Sequence, residues 1–166
     1  IKCNPSIKEV SDREALQKGL LEGYIDYVAT DHAPHLLADK SNDYMKCPSG
    51  VPSVQHTLLI LLELVRDGIF SLNDLPFYLS HKVADRFKVK DRGYIREGYW
   101  ADCVLVDLEQ EHTVTKENTA YYCGWSPFEG ETFHSKVIST FVNGEHAYNE
   151  GKILESNLGV QLEFDR

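Results

Sequence analysis

A short apolar run that stops at a carboxylate limits this chain more than any other stretch. Residues 25–30 read Ile-Asp-Tyr-Val-Ala-Thr, and Asp31, His32, Ala33, Pro34 and His35 follow. The β-branched and aromatic side chains predict a buried strand, and Pro34 prevents it from continuing. Ahead of it, Ser11-Asp12-Arg13-Glu14 has the Ser-x-x-Glu spacing of a capping box. Leu16, Leu20 and Leu21 give the following helix an apolar side, and Gly23 is placed to end it. Residues 1–4, closed by Pro5, read as the end of an earlier strand. Strand, helix, strand with short links is a βαβ crossover, which implies a parallel sheet. In such folds the loops that carry chemistry gather at the carboxyl ends of the strands. Asp31, His32 and His35 are therefore candidate site residues. A strand followed by an ordinary polar turn is the alternative, and this stretch alone does not decide between them.

The rest of the chain narrows the choice. Residues 31–52 form a long loop with Pro34, Pro48, Gly50 and Pro52. Structureless loops longer than roughly 15 residues are uncommon and often belong to active sites. Val54, Leu58, Leu61, Leu62 and Val65 then recur at helical spacing, and Gly68 ends the pattern. Ser71-Leu72-Asn73-Asp74 caps a further helical stretch that runs to Phe87, with Pro76 and the Ser80-His81 region placed to split it. After residue 90 the helical period disappears. Tyr94 and Ile95 precede a turn at Gly98, and residues 103–108 are a compact apolar run. Residues 137–142, Asn143-Gly144 and residues 145–148 are the strongest hairpin signal, because Asn-Gly suits a type I′ turn. The change near residue 90 marks an expected boundary between an α/β part, residues 1–89, and a β part, residues 90–166.

Composition excludes some classes. A net charge of −9 argues against a general nucleic-acid binder, which would carry a basic face. No stretch approaches the roughly 18–20 consecutive apolar residues of a membrane span, so no membrane partner is expected. Cys3, Cys47, Cys103 and Cys123 are widely spaced with no C-x-x-C, which argues against a structural zinc knuckle. Low cysteine density and the lack of a leader pattern favour a reduced, cytoplasmic protein. The first residue is Ile rather than Met, and the chain reads as part of a longer one.

These motifs resemble the amidohydrolase superfamily, and within it the bacterial-type dihydroorotases. Lys2-Cys3-Asn4-Pro5 is similar to a K-x-N-P segment that ends the family's seventh barrel strand. Gly23 to Asp26 and Ala29 to His35 are similar to the G-x-I-D and A-T-D-H-A-P-H segment of strand eight. Gly93-Tyr94-Ile95, Gly98 and Ala101-Asp102 match the pattern that opens the family's C-terminal β part, and Ser126 to Gly130 and Thr140 to Gly144 fit its tail. The resemblance implies an α/β fold: the C-terminal part of a (β/α)8 TIM-like barrel, with strands seven and eight and their helices, plus the C-terminal part of a small β-sandwich. It also implies zinc, one or two ions. The family's H-x-H motif, its bridging lysine and two further histidines are absent here, so most ligands are expected upstream of residue 1.

The resemblance assigns roles residue by residue. Asp31 stands at the position of the general acid/base, which is also a metal ligand. Asn4 and His35 match positions that hold the substrate's ring and carboxylate. Ser49 and Gly50 stand where the family has P-F-G, with Ser49 replacing the aromatic. The implied reaction is the reversible cyclisation of N-carbamoyl-aspartate to dihydroorotate in pyrimidine biosynthesis. The implied partners are that small-molecule substrate and the rest of the same polypeptide, and a homo-oligomer is compatible. These 166 residues alone are expected to be inactive. Another cyclic amidohydrolase, of hydantoinase, dihydropyrimidinase or allantoinase type, is the alternative, as is a non-catalytic assembly partner. His32 is expected to pack or hydrogen-bond at the strand end rather than to bind metal, and His56 and His81 to be ordinary polar positions on helices. Gln55-His56 and Lys82 depart from the common family pattern. Tyr121, Tyr122, Trp125 and Phe128 are expected to pack within the sandwich.

Overall fold

A computed structural model describes residues 1–154 and 158–165. The first half is helical. α1 (Val10–Leu21) is followed by a single turn, α2 (Leu37–Lys40), and then by α3 (Thr57–Arg66). A 3-10 turn (Leu72–Asp74), a π-helical turn (Phe77–His81) and α4 (Lys82–Phe87) close this half. Among the described residues the second half holds six short strands: β1 (Cys103–Asp107), β2 (His112–Thr113), β3 (Thr132–Phe133), β4 (Lys136–Val142), β5 (Glu145–Asn149) and β6 (Lys152–Ile153). They form a four-stranded antiparallel sheet in the order β1-β4-β5-β6 and a separate β2-β3 pair.

Several local expectations hold. Asn143 and Gly144 both take positive φ, 55° and 85°, as a type I′ turn requires, and Val142 faces Glu145 across it. Ser71 accepts from the Asn73 amide at 3.3 Å, while its own amide donates to Asp74 at 3.0 Å. The helical stretch does change form at His81, where the π turn gives way to α4.

Other expectations fail. α1 begins at Val10, with Glu9 as its N-cap, and Ser11 lies inside the helix. The Glu9 amide donates to Asp12 at 3.1 Å, so an acidic pair two residues earlier fills the role expected of Ser11 and Glu14. Of the three leucines expected to face inward, Leu20 is buried while Leu16 and Leu21 are exposed. α3 begins at Thr57 because residues 53–56 close a turn, with the His56 amide donating to Ser53.

The expected parallel sheet is also corrected. Residues 1–4 and 25–30 are not strands, and every ladder among the described residues is antiparallel. Their backbone groups bond outside any ladder, to the π turn and to a loop. Val28 donates to the Tyr78 carbonyl at 3.2 Å, and the Lys2 carbonyl accepts from Gly50 at 3.0 Å. Two short parallel segments with no further strands beside them make too few bonds to hold a ladder.

One apolar cluster joins both halves. Leu20, Leu59, Leu61, Leu62, Phe70, Leu75 and Tyr78 pack with Val114 and Phe133 from the β part. Burial of this surface ties β3 to α3 and fixes the tail over the N-terminal loops. Among the described residues no helix is long and apolar enough to cross a membrane.

Candidate active site

Three segments remote in sequence, residues 1–4, 31–35 and 47–51, are joined by backbone hydrogen bonds. The Lys2 carbonyl accepts from the Gly50 amide, and the Ala33 amide donates to the Val51 carbonyl at 3.0 Å. Residues 47–51 are thereby tied to residues 1–4 on one side and to residues 31–35 on the other. Gly50 takes φ 112°, and a Cβ there would lie 2.4 Å from the Cβ of Ala33. Only glycine allows so close an approach. The Lys40 ammonium, at the end of α2, donates to three carbonyls: Lys2 at 3.1 Å, Pro48 at 2.8 Å and Gly50 at 2.8 Å.

Asp31 sits at a bend with φ 45°, a left-handed conformation that Asp tolerates better than most residues. The bend breaks the extended run and turns the chain into the loop. Asp31 and Asn4 are exposed, and His35, Ser49 and Gly50 are half-buried. Among the described residues no hydrogen bond or ion pair engages the side chains of Asn4, Asp31, His35 or Ser49. The carboxylate is thus open to a ligand.

His32 has a structural role. Its Nδ1 accepts from the amides of Ser53 at 3.0 Å and Val54 at 3.3 Å, which leaves the proton on Nε2. The Ser53 hydroxyl donates to the Thr30 carbonyl at 2.9 Å. Together these bonds pin the bend against the start of α3.

The tail closes over the same loops, which is where Tyr121, Tyr122 and Trp125 depart from expectation. Trp125 Nε1 donates to the His35 carbonyl at 2.8 Å, and the Tyr121 ring lies 5.2 Å from the His32 ring. The Tyr121 hydroxyl accepts from the Gln55 amide at 2.8 Å. The Gln55 side chain answers by accepting from Ala120 and donating to Asn118, both at 2.8 Å. Tyr121 and Trp125 therefore pack on these loops and the start of α3, Phe128 packs between His56 and Phe133 of β3, as expected of the β part, and Tyr122 is exposed. Burial pushes the Tyr121 phenol upward.

His56 is also not an ordinary polar position. It is fully buried, with its ring near Tyr121, Phe128 and Phe133. Its Nδ1 lies 3.4 Å from the Tyr121 hydroxyl and 3.5 Å from the Ser126 hydroxyl, and Nε2 has no partner among the described residues. Burial, then the nearby charge of His112, lowers its pKa to about 4. His81 lies in the π turn and stacks on Tyr94 at 4.2 Å.

Sequence patterns did not reveal Lys40, Gln55, Tyr121 or Trp125 as parts of this neighbourhood. Each acts through a backbone group remote in sequence, and such contacts leave no local signature. A groove of about 790 Å3 runs between the start of α3 and the four-stranded sheet, lined in part by His56, His112, Lys136 and Tyr148. It includes none of Asn4, Asp31, His35, Ser49 and Gly50. Among the described residues no group of three or more His, Cys, Asp or Glu side chains is clustered to hold a metal. With His32 Nδ1 engaged, the residues present do not by themselves fit a zinc site.

No family model matches the chain. Curated proteins do. The dihydroorotase of Listeria innocua is 37% identical over 153 residues, 91% of this chain and 35% of the relative. That of Bacillus subtilis is 34% identical over 155 residues, 93% and 36% of the two chains. The chain is related to the dihydroorotases. It spans about a third of the length of the dihydroorotases it matches. Solved structures of related cyclic amidohydrolases share its fold. The dihydropyrimidinase from Brevibacillus agri superimposes with a TM-score of 0.84 at 29% identity, over 92% of this chain and 34% of that one. A D-hydantoinase from a Bacillus species gives 0.81 at 27% identity, over 92% and 35%. The mixed α/β architecture of this dihydroorotase relative is thus the architecture of part of an amidohydrolase.

Proposed function

We propose that these residues form one wall of a dihydroorotase active site, with Asp31 as its general acid/base. The observation that carries the reading is the free Asp31 carboxylate on a left-handed bend, beside loops tied together through Gly50, Lys2, Ala33 and Val51. Identity to dihydroorotases across about nine-tenths of the chain supports it.

The chemistry follows from the substrate. Dihydroorotate is a cyclic amide that carries a carboxylate. In ring opening, water adds to the ring carbonyl and the C–N bond breaks. Asp31 takes the proton from the attacking water and delivers it to the departing nitrogen, giving N-carbamoyl-aspartate. Cyclisation is the same path reversed. Asn4 offers a donor and an acceptor to the ring amide, and His35 offers a donor to the substrate carboxylate. Ser49 offers its backbone groups to the substrate, while Gly50, whose amide bonds to the Lys2 carbonyl and whose carbonyl accepts from Lys40, holds that backbone in place. The zinc implied by the family resemblance would find one carboxylate here, Asp31, and would take its other ligands from residues outside these 166. The 166 residues alone then have no ring-opening activity. In this reading residues 1–89 are part of a (β/α)8 barrel and residues 90–166 part of a β-sandwich, both completed by the rest of the polypeptide.

A hydantoinase or dihydropyrimidinase activity is the second reading, favoured by the solved structures that share the fold. Such rings lack the carboxylate that His35 would hold. The test is substrate preference in the protein expressed from its complete gene. Turnover of dihydroorotate above hydantoin and dihydrouracil supports the first reading, and the reverse order supports the second.

A further inference from the structure

We propose that Lys40 is a positioning residue that shapes the substrate wall by clamping two of its segments together. The inference rests on the dihydroorotase reading for what the wall binds, but not for the clamp. An ammonium has three hydrogens, and Lys40 directs its Nζ at three carbonyl oxygens, those of Lys2, Pro48 and Gly50. The first belongs to the segment ending in Asn4. The other two flank Ser49. A single cation therefore spans the turn that holds Ser49 and Gly50 and the segment that holds Asn4.

The arrangement has the features of a built clamp. Lys40 is half-buried, and no carboxylate pairs with it among the described residues. Carbonyl dipoles are its counter-charge, and hydrogen bonds to a charged donor are the strong ones. The Gly50 amide meets the same Lys2 carbonyl at 3.0 Å, so that oxygen accepts twice. The Cys47 thiol donates to the Lys40 carbonyl at 3.5 Å, which joins the end of α2 to the start of the turn. Without the ammonium the three carbonyls lose their shared donor, and the bond from the Gly50 amide to the Lys2 carbonyl holds the two segments with less restraint. The free side chain of Asn4 and the backbone at Ser49 and Gly50 would lose their fixed separation. A substrate held from both sides would bind less well, with little change at Asp31 itself.

The test uses Lys40→Met and Lys40→Arg in the protein expressed from its complete gene. Met keeps the stem and removes the charge and donors. Arg keeps the charge but has a planar fork that does not match a three-carbonyl tripod. Amide hydrogen exchange is read at Gly50 and at Ile60 in α3. The clamp predicts that Lys40→Met speeds exchange at Gly50 by about tenfold or more while Ile60 stays unchanged. Steady-state kinetics with dihydroorotate should show KM raised at least about tenfold with kcat within about threefold. Lys40→Arg should fall between Met and wild type, and it is read alone if the Met variant does not fold. Unchanged Gly50 exchange overturns the clamp, as does equal loss at Gly50 and Ile60, or full recovery with Arg. An unchanged KM, or a fall confined to kcat, overturns the link to the substrate wall. A wild type that turns over no dihydroorotate contradicts the functional reading and with it that link, while the exchange result still decides the clamp.

Discussion

The Trp125 indole donates to the carbonyl of His35 at 2.8 Å, joining residues 90 positions apart in sequence. The bond fixes the near end of the loop that begins at Asp31. It also explains how the tail takes part in a site built mainly from the first 51 residues. Trp125→Phe removes the donor and leaves the carbonyl without its partner. An unmet polar group of this kind costs about 1–3 kcal/mol. Denaturant unfolding should show a loss in that range, and an unchanged midpoint would mean that the contact contributes nothing.

Gly50 is needed for two reasons, its φ of 112° and the 2.4 Å approach to Ala33. Gly98 has a positive φ of 85° with nothing within 4 Å of the site of a Cβ. The pair separates backbone strain from crowding. Gly98→Ala should cost about 1 kcal/mol from conformation alone. Gly50→Ala should cost more, about 2–3 kcal/mol, and should also raise KM, because the clash moves the loop away from residues 31–35. Equal losses in thermal unfolding would contradict the close approach.

His56 makes stability depend on pH. Its pKa falls to about 4 in the folded protein from the ordinary 6.5, chiefly through burial. The unfolded chain then binds more protons between those values, so stability rises with pH across the window. It is complete above about pH 6.5 and is lost progressively as pH falls towards 4, by on the order of 3 kcal/mol. His112, also lowered by burial and then by Lys136, acts in the same direction. Comparing wild type with His56→Phe isolates the His56 share. The variant should lose less stability between pH 7 and pH 4.5, and parallel curves would contradict a neutral buried imidazole.

Local signals in the sequence were readable where local physics decides the structure. Asn143-Gly144 fixed its hairpin because few residue pairs take two positive φ values cheaply. Ser71 marked its cap. The stretch 25–35 singled out Asp31 as a candidate, and the structure leaves that carboxylate exposed, but the apolar run before it did not become a strand. A strand needs partners, and the run is β-rich only in composition. His56 was misread because Gln55-His56 precedes a helix, and nothing nearby in sequence announces that Phe128 and Phe133 will cover it. Lys40 lies in the stretch expected to be a long loop, and its three acceptors come from two different segments.

The central claim is that Asp31 moves the proton in cyclic amide hydrolysis. The direct measurement is dihydroorotate turnover by Asp31→Asn in the protein expressed from its complete gene, with unfolding curves to show that the fold is kept. Asn preserves shape and cannot accept the proton. A general acid/base contributes about 10²–10⁴-fold, so kcat should fall by at least about a hundredfold with the unfolding midpoint little changed. Turnover within about tenfold of wild type in a folded variant would contradict the account.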